Sequence, residues 1–102
     1  LIIRGVNVFP SQIEELILQH GELGGQYQLV LTREGPLDSL EVRCELLPAR
    51  ADSADRDAVG SALQQRIKTL IGVSAQVTVG LPDSIERTLV GKARRVIDKR
   101  QK

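Results

Sequence analysis

The chain has 102 residues, 41% of them apolar and 26% charged, which suits one compact domain and is too short for two independent cores. Its aromatics are Phe9 and Tyr27 and its single cysteine is Cys44, so it offers no stacking platform for bases, no internal disulfide and no multi-cysteine metal centre. No apolar run nears the roughly 20 residues of a membrane span, and the opening LIIRG lacks the basic region and cleavage site of a secretory leader, so a cytoplasmic protein with no membrane partner is expected.

Charge is distributed unevenly. Residues 86–102 hold seven Lys/Arg against two Asp/Glu, a net of +5, which leaves −4 on residues 1–85 and +1 overall. The chain opens without methionine inside an apolar run, as an excised piece of a longer protein is expected to do.

In chain order, LIIRGVNVF (1–9) is β-rich and apolar and predicts a first strand. Pro10 interrupts it. Ser11 followed three residues later by Glu14 has the spacing of a capping box and predicts a helix over 12–20, with Ile13, Leu16 and Ile17 as its buried stripe and Gly21 beyond its end. GELGG (21–25) reads as a loop. Tyr27, Leu29 and Leu31 alternate with polar neighbours, REGPLDS (33–39) reads as a hairpin turn, and Leu40, Val42, Cys44 and Leu46 alternate with charged residues. Those are two half-buried antiparallel strands.

The stretch ADSADRDAVGSALQQRIKTLIG (51–72) has acidic residues in its first turn, Val59, Leu63, Ile67, Leu70 and Ile71 on one face, and Gly72 as its stop. It is the strongest helix signal in the chain. Val73, Ala75, Val77, Val79 and Leu81 alternate as a last strand ended by Pro82, and ARRVIDK (93–99) predicts a short C-terminal helix. The order β-α-β-β-α-β predicts an α+β, ferredoxin-like split-βαβ domain with two helices on one face of a four-stranded antiparallel sheet. That fold hosts many functions, so particular residues have to decide among them.

The N-terminal IIRGVNVFPSQIE and the C-terminal ERTLVGKARRVIDKR resemble the C-terminal domain of the phenylacetate-CoA ligase family of adenylate-forming acyl-CoA synthetases. The resemblance spans the chain from end to end. It implies that residues 1–102 form a single domain, a mobile cap on a large N-terminal adenylation domain that binds most of the ATP, Mg2+, CoA and aryl carboxylate. One face of such a cap helps to form the acyl-adenylate, the AMP-linked intermediate, and another helps to pass the acyl group to CoA.

By that resemblance Lys92 is the adenylation lysine and Gly91 lets its loop turn tightly. The chemistry asks for such a group, because joining a carboxylate to the α-phosphate of ATP concentrates negative charge, and a compact ammonium on a long stem can be delivered there from a loop. The resemblance further implies that Gly5, Val6 and Asn7 line the CoA channel during thioester formation, a glycine allowing close backbone approach to a thin ligand. Arg94 and Arg95 are candidates for contacts with CoA phosphates or the partner domain. One departure from the superfamily is Leu89-Val90, where a small polar residue or two usually precedes the Gly-Lys pair.

The plainer readings stand beside these. A Gly-Lys pair in a basic tail is ordinarily a solvated lysine, Gly5 can mark a strand bulge and Asn7 a turn. Arg94, Arg95, Lys99 and Arg100 read as a solvated basic face. His20 falls where a helix C-terminus favours an imidazole, Cys44 falls on the inward phase of its strand as a core thiol, and GELGG follows a helix, so it lacks the geometry of a phosphate cradle. No metal site is expected. Two other function classes stay open: a nucleic-acid-binding module, supported by the basic tail alone, and a stand-alone regulatory module or homodimer that binds a small ligand between copies.

Overall fold

The computed structural model describes residues 2–3, 5–52, 55–85 and 96–100. Lys92, Gly91, Arg94, Arg95 and the Leu89-Val90 pair lie outside the described residues.

The first nine residues do not make one long strand. β1 (Ile2–Ile3) turns back on β2 (Val6–Asn7) as a tight antiparallel hairpin, pairing Ile2 with Asn7 and Ile3 with Val6. Gly5 sits at φ +79 in the turn, a backbone setting that L side chains adopt only with strain. Helix α1 (Pro10–Leu18) follows, and its N-cap is Phe9 instead of Ser11. Pro10 opens the helix because its fixed φ and missing N–H both suit the first position, and Gln12 supplies the reciprocal contact, its Oε1 accepting from the Phe9 N–H at 3.2 Å. Ile13, Leu16 and Ile17 are its buried face, as the spacing predicts.

β3 (Leu23–Glu34) and β4 (Leu37–Leu46) form a long antiparallel hairpin closed at Gly35-Pro36, with Gly35 at φ +59. The strands therefore begin and end closer to the turn than expected. Gly24 and Gly25 belong to β3, not to a loop, and lie where the register shifts between Leu23 and Tyr27. Glycines inside a strand commonly mark such a bulge.

After a single 3-10 turn (Pro48–Arg50), Asp55 caps α2 (Arg56–Leu70), accepting from the Asp57 and Ala58 N–H groups at 3.1 and 3.2 Å. Gly72 at φ +91 ends it. Val59, Leu63 and Ile67 are buried, whereas Leu70, expected on the same face, is exposed. β5 (Gln76–Gly80) starts later than the alternation suggests: Val73 and Ala75 are buried ahead of the strand and Leu81 is exposed after it. β6 (Val96–Asp98) is a strand where a terminal helix was predicted. Its β-branched Val96 and Ile97 suit a pleated edge better than a helix turn.

The main sheet runs β5-β4-β3-β6 and is mixed: β3/β4 is antiparallel, while β4/β5 and β3/β6 are parallel. The domain is α+β, but the all-antiparallel ferredoxin-like sheet is not what forms. The reason lies in Gly5, which folds the expected first strand into a separate hairpin, so residues 96–98 take the place beside β3. The parallel β4/β5 pair needs a crossover, which α2 supplies. One apolar cluster joins Ile13, Leu16 and Ile17 of α1 and Leu63 and Ile67 of α2 to Leu29, Leu31, Val42 and Cys44 of the sheet. Ile3 and Val8 extend that cluster to the hairpin.

Candidate functional site

The N-terminal hairpin stands at the rim of the sheet. Ile3 and Val8 are fully buried and fasten its inner side, while Ile2, Gly5, Asn7 and Phe9 face outward and Val6 is half-buried. A Cβ placed on Gly5 would meet nothing within 4 Å. Glycine is thus called for by the positive φ, not by crowding within the domain, and the backbone at the turn is open to approach.

Arg100 gathers three segments at this rim. Its Nη1 donates to the Ile2 carbonyl at 3.0 Å and to Asp38 Oδ2 at 3.1 Å, while Nε and Nη2 donate to the two Asp98 oxygens, each at 3.0 Å. The forked pairing with Asp98, two residues earlier, aims the planar guanidinium. Asp38 also accepts from Arg33 Nε at 2.6 Å. The Arg33 hydrogen bond, the largest effect, is joined by that of Arg100 in holding the Asp38 carboxyl below its ordinary value despite the opposing desolvation, and the hydrogen bond to Asp98 raises the Arg100 pKa. Arg100 is only 16% exposed and Asp38 14%, so this arginine is not part of a solvated basic face. Four charges of alternating sign, Arg33-Asp38-Arg100-Asp98, offset one another along the rim.

The approach to the basic segment is also fixed. Leu81–Ser84 make a turn closed by the Ser84 N–H on the Leu81 carbonyl at 3.1 Å, with Pro82 at its second position and Asp83 at φ 64 in its third, the pattern of a type II turn. Ser84 packs so closely on Gly80 that any Cβ there would overlap its side chain. Ile85 is buried and its N–H donates to Glu45 Oε2 at 3.2 Å. Glu45, itself buried, alternates with Cys44 and so points away from the helices. Beyond residues 86–95, Val96 pairs with Leu29 and Ile97 with Val30, and the Lys99 N–H donates to the Leu31 carbonyl at 2.7 Å. The segment that includes Lys92 is thus flanked by Ile85, anchored on Glu45 of β4, and by Val96, the first residue of β6.

The remaining candidates keep their plain readings. Cys44 is buried beside the Thr78 carbonyl, and burial, aided by Glu45, pushes its thiol up to about 12, which leaves it unreactive at neutral pH. His20 lies just past the end of α1, its N–H on the Ile17 carbonyl at 3.0 Å. Among the described residues no three His, Cys, Asp or Glu side chains gather as a metal cradle. Nor is any described helix long and apolar enough to cross a membrane. Sequence reasoning missed the Asp38–Arg100–Ile2 junction. Its signal was weak: Asp38 sits in a turn-like stretch, and Arg100 lies 62 residues from it and 98 from Ile2.

Comparison with known proteins places this geometry. A family model described as the AMP-binding enzyme C-terminal domain matches residues 5–100. A phenylacetate-coenzyme A ligase of Aromatoleum evansii is 47% identical over 105 residues, taking in 100% of this chain and 24% of that protein. A solved domain of phenylacetate-coenzyme A ligase from Bacteroides vulgatus matches with a TM-score of 0.85 at 31% identity, over 99% of this chain and 92% of that one. A 2-hydroxyisobutyryl-CoA ligase, solved with 2-HIB-AMP and CoA in the thioesterification state, matches with a TM-score of 0.84 at 36% identity, over 99% of this chain and 21% of that one. The chain spans about a quarter of the length of the curated relatives it matches.

Proposed function

Since the chain belongs to the AMP-binding enzyme C-terminal domain family, we propose that it is the cap domain of an ATP-dependent acyl-CoA ligase acting on an aryl carboxylate, phenylacetate by similarity to its relatives. The observation that carries this reading is the extent of the match: the family model takes in residues 5–100, including both the Gly5 turn and the Gly91-Lys92 pair. A large N-terminal adenylation domain of the same protein would hold ATP with its Mg2+, the acid and most of CoA. The 102-residue chain alone should then be inactive.

In the first half-reaction a carboxylate oxygen attacks the α-phosphorus of ATP, the bond to pyrophosphate breaks, and an acyl-adenylate forms. The Lys92 ammonium faces the charge that builds on the α-phosphate oxygens, and Gly91 gives its loop the room to reach them. In the second, the CoA sulfur attacks the acyl carbon, the bond to AMP breaks and the thiol proton leaves. In this pose the cap presents its other surface, and the exposed turn at Gly5, with Val6 and Asn7, lines the path of the pantetheine arm. The open space above Gly5 and its rim position support that assignment. Arg94 and Arg95 are placed by sequence to meet CoA phosphates or the partner domain.

The test is Lys92→Ala in the full-length ligase, with adenylate formation and acyl transfer to CoA measured separately. Adenylation should fall by roughly 10²–10³, the loss typical of one well-placed charged donor. Transfer from supplied acyl-adenylate should stay near wild type. Lys92→Arg should also fail, because a planar fork does not replace a point charge in a closed cleft. A folded Lys92→Ala enzyme with wild-type adenylation, or with equal losses in both steps, overturns the reading.

A further inference from the structure

We propose that Arg100 is a positioning residue for thioester formation: its guanidinium clamps the Gly5 hairpin to the start of β4, and so fixes the turn that the CoA arm must pass. This rests on the reading of Gly5 given above.

Among the described residues, Ile3, Val8 and the half-buried Val6 tie the hairpin region to the core. β1 and β2 have two residues each, pair with one another and form a sheet separate from the main one. Such a short isolated hairpin is marginal by itself. Its inner side is fastened by Ile3 and Val8, but Ile2 is exposed, so the outer end of β1 relies on its backbone contacts. The Ile2 carbonyl accepts from Arg100 at 3.0 Å, and the same Nη1 reaches Asp38 at 3.1 Å. Asp38 pairs with Arg33 across the β3/β4 hairpin, so it is a fixed post. Asp98 holds the other edge of the guanidinium in a forked bond.

The clamp is selective. β6 does not depend on it, because three register pairs with β3 and the Lys99 N–H on the Leu31 carbonyl hold that strand independently. Removing the guanidinium should therefore loosen the hairpin and spare β6, which directly follows the segment carrying Lys92. Thioester formation should suffer and adenylation should not. Lysine in place of Arg100 reaches one acceptor at a time and lacks the fork, so it should restore only part of the effect.

Two measurements test this. In the 102-residue chain, Arg100→Ala should raise amide hydrogen exchange at Val6 and Asn7 by roughly tenfold or more, the scale of losing one charged hydrogen bond, with Leu31 and Ile97 unchanged. Arg100→Lys, the milder change, should fall between, and covers the case in which the alanine variant does not fold. Unchanged hairpin exchange, or equal loss of protection across the whole sheet, overturns the clamp. In the full-length ligase the same variants should raise KM for CoA and slow acyl transfer by about tenfold, while adenylation stays within twofold. A loosened hairpin with normal transfer, or with adenylation lost equally, overturns the positioning role. Failure of the Gly5 reading shows elsewhere, as Gly5→Leu in the full-length ligase leaving acyl transfer to CoA at wild type.

Discussion

The helix-backed face of the main sheet and the rim where the two chain ends meet are built on opposite principles. On the face, Leu29, Leu31, Val42, Cys44, Ile13, Leu63 and Ile67 exclude water, and any member is supported by many neighbours. At the rim, a four-residue hairpin is held by two buried side chains and an alternating series of charges centred on Arg100 and Asp38. The face carries the stability of the domain, and the rim carries the Gly5 turn that we propose lines the CoA path. Burial is strong and indifferent to direction, whereas charged hydrogen bonds are modest but fix geometry.

The sharpest way to break this comparison is to truncate the face. Leu29→Ala, at a fully buried position, should cost about 2–5 kcal/mol, read as a lowered urea midpoint. A loss near zero would mean that the face is not the stabilising element. Gly5→Val at the rim should cost roughly 1–2 kcal/mol locally, because φ +79 is unfavourable for a β-branched residue. The loss should show in hairpin amide exchange and barely in the urea midpoint, and Gly5→Asn should be milder, since asparagine visits that conformation more readily. Asp55→Ala, which removes the cap of α2, should cost about 1 kcal/mol and leave the hairpin untouched.

The smallest effects separate the two regions by pH. The Asp38 carboxyl is held below its ordinary 3.8, so its contribution is present above that value and fades as pH falls through the lower native one. Its partners there are Arg33 and Arg100, with Asp98 on the far side of Arg100. Cys44 is the reverse case. Its ordinary value of 9.0 rises to about 12 in the folded protein, so the stability of the neutral thiol is complete below pH 9 and fades as pH climbs toward 12. Carboxyl and thiol titrations by NMR, alongside urea midpoints, should show Asp38→Asn flattening only the acid limb and Cys44→Ala only the alkaline one.

The sequence by itself determined what depends on local pattern. The two helices, the buried stripe of α1 and the alternation of β3 and β4 follow from spacing, because a residue's face in a helix or strand is set by neighbours three, four or two positions away. Gly5, Val6, Asn7 and Lys92 stood out only through the resemblance of the two end motifs to the ligase family, and the basic tail through its charge. Other features depended on partners far along the chain, and only the tertiary structure decided them. The apolar run of residues 1–9 suits a long strand, and the positive φ at Gly5 turned it into a hairpin. Val96–Asp98 became a strand because an unpaired edge of β3 lay beside it, a fact absent from the residues themselves. Arg100 read as one more solvated cation, and it became a clamp because the fold brought the Ile2 carbonyl and Asp38 to it across most of the chain. Long-range pairing of polar groups leaves no periodic trace in a sequence, since its geometry exists only after apolar burial has brought the partners together.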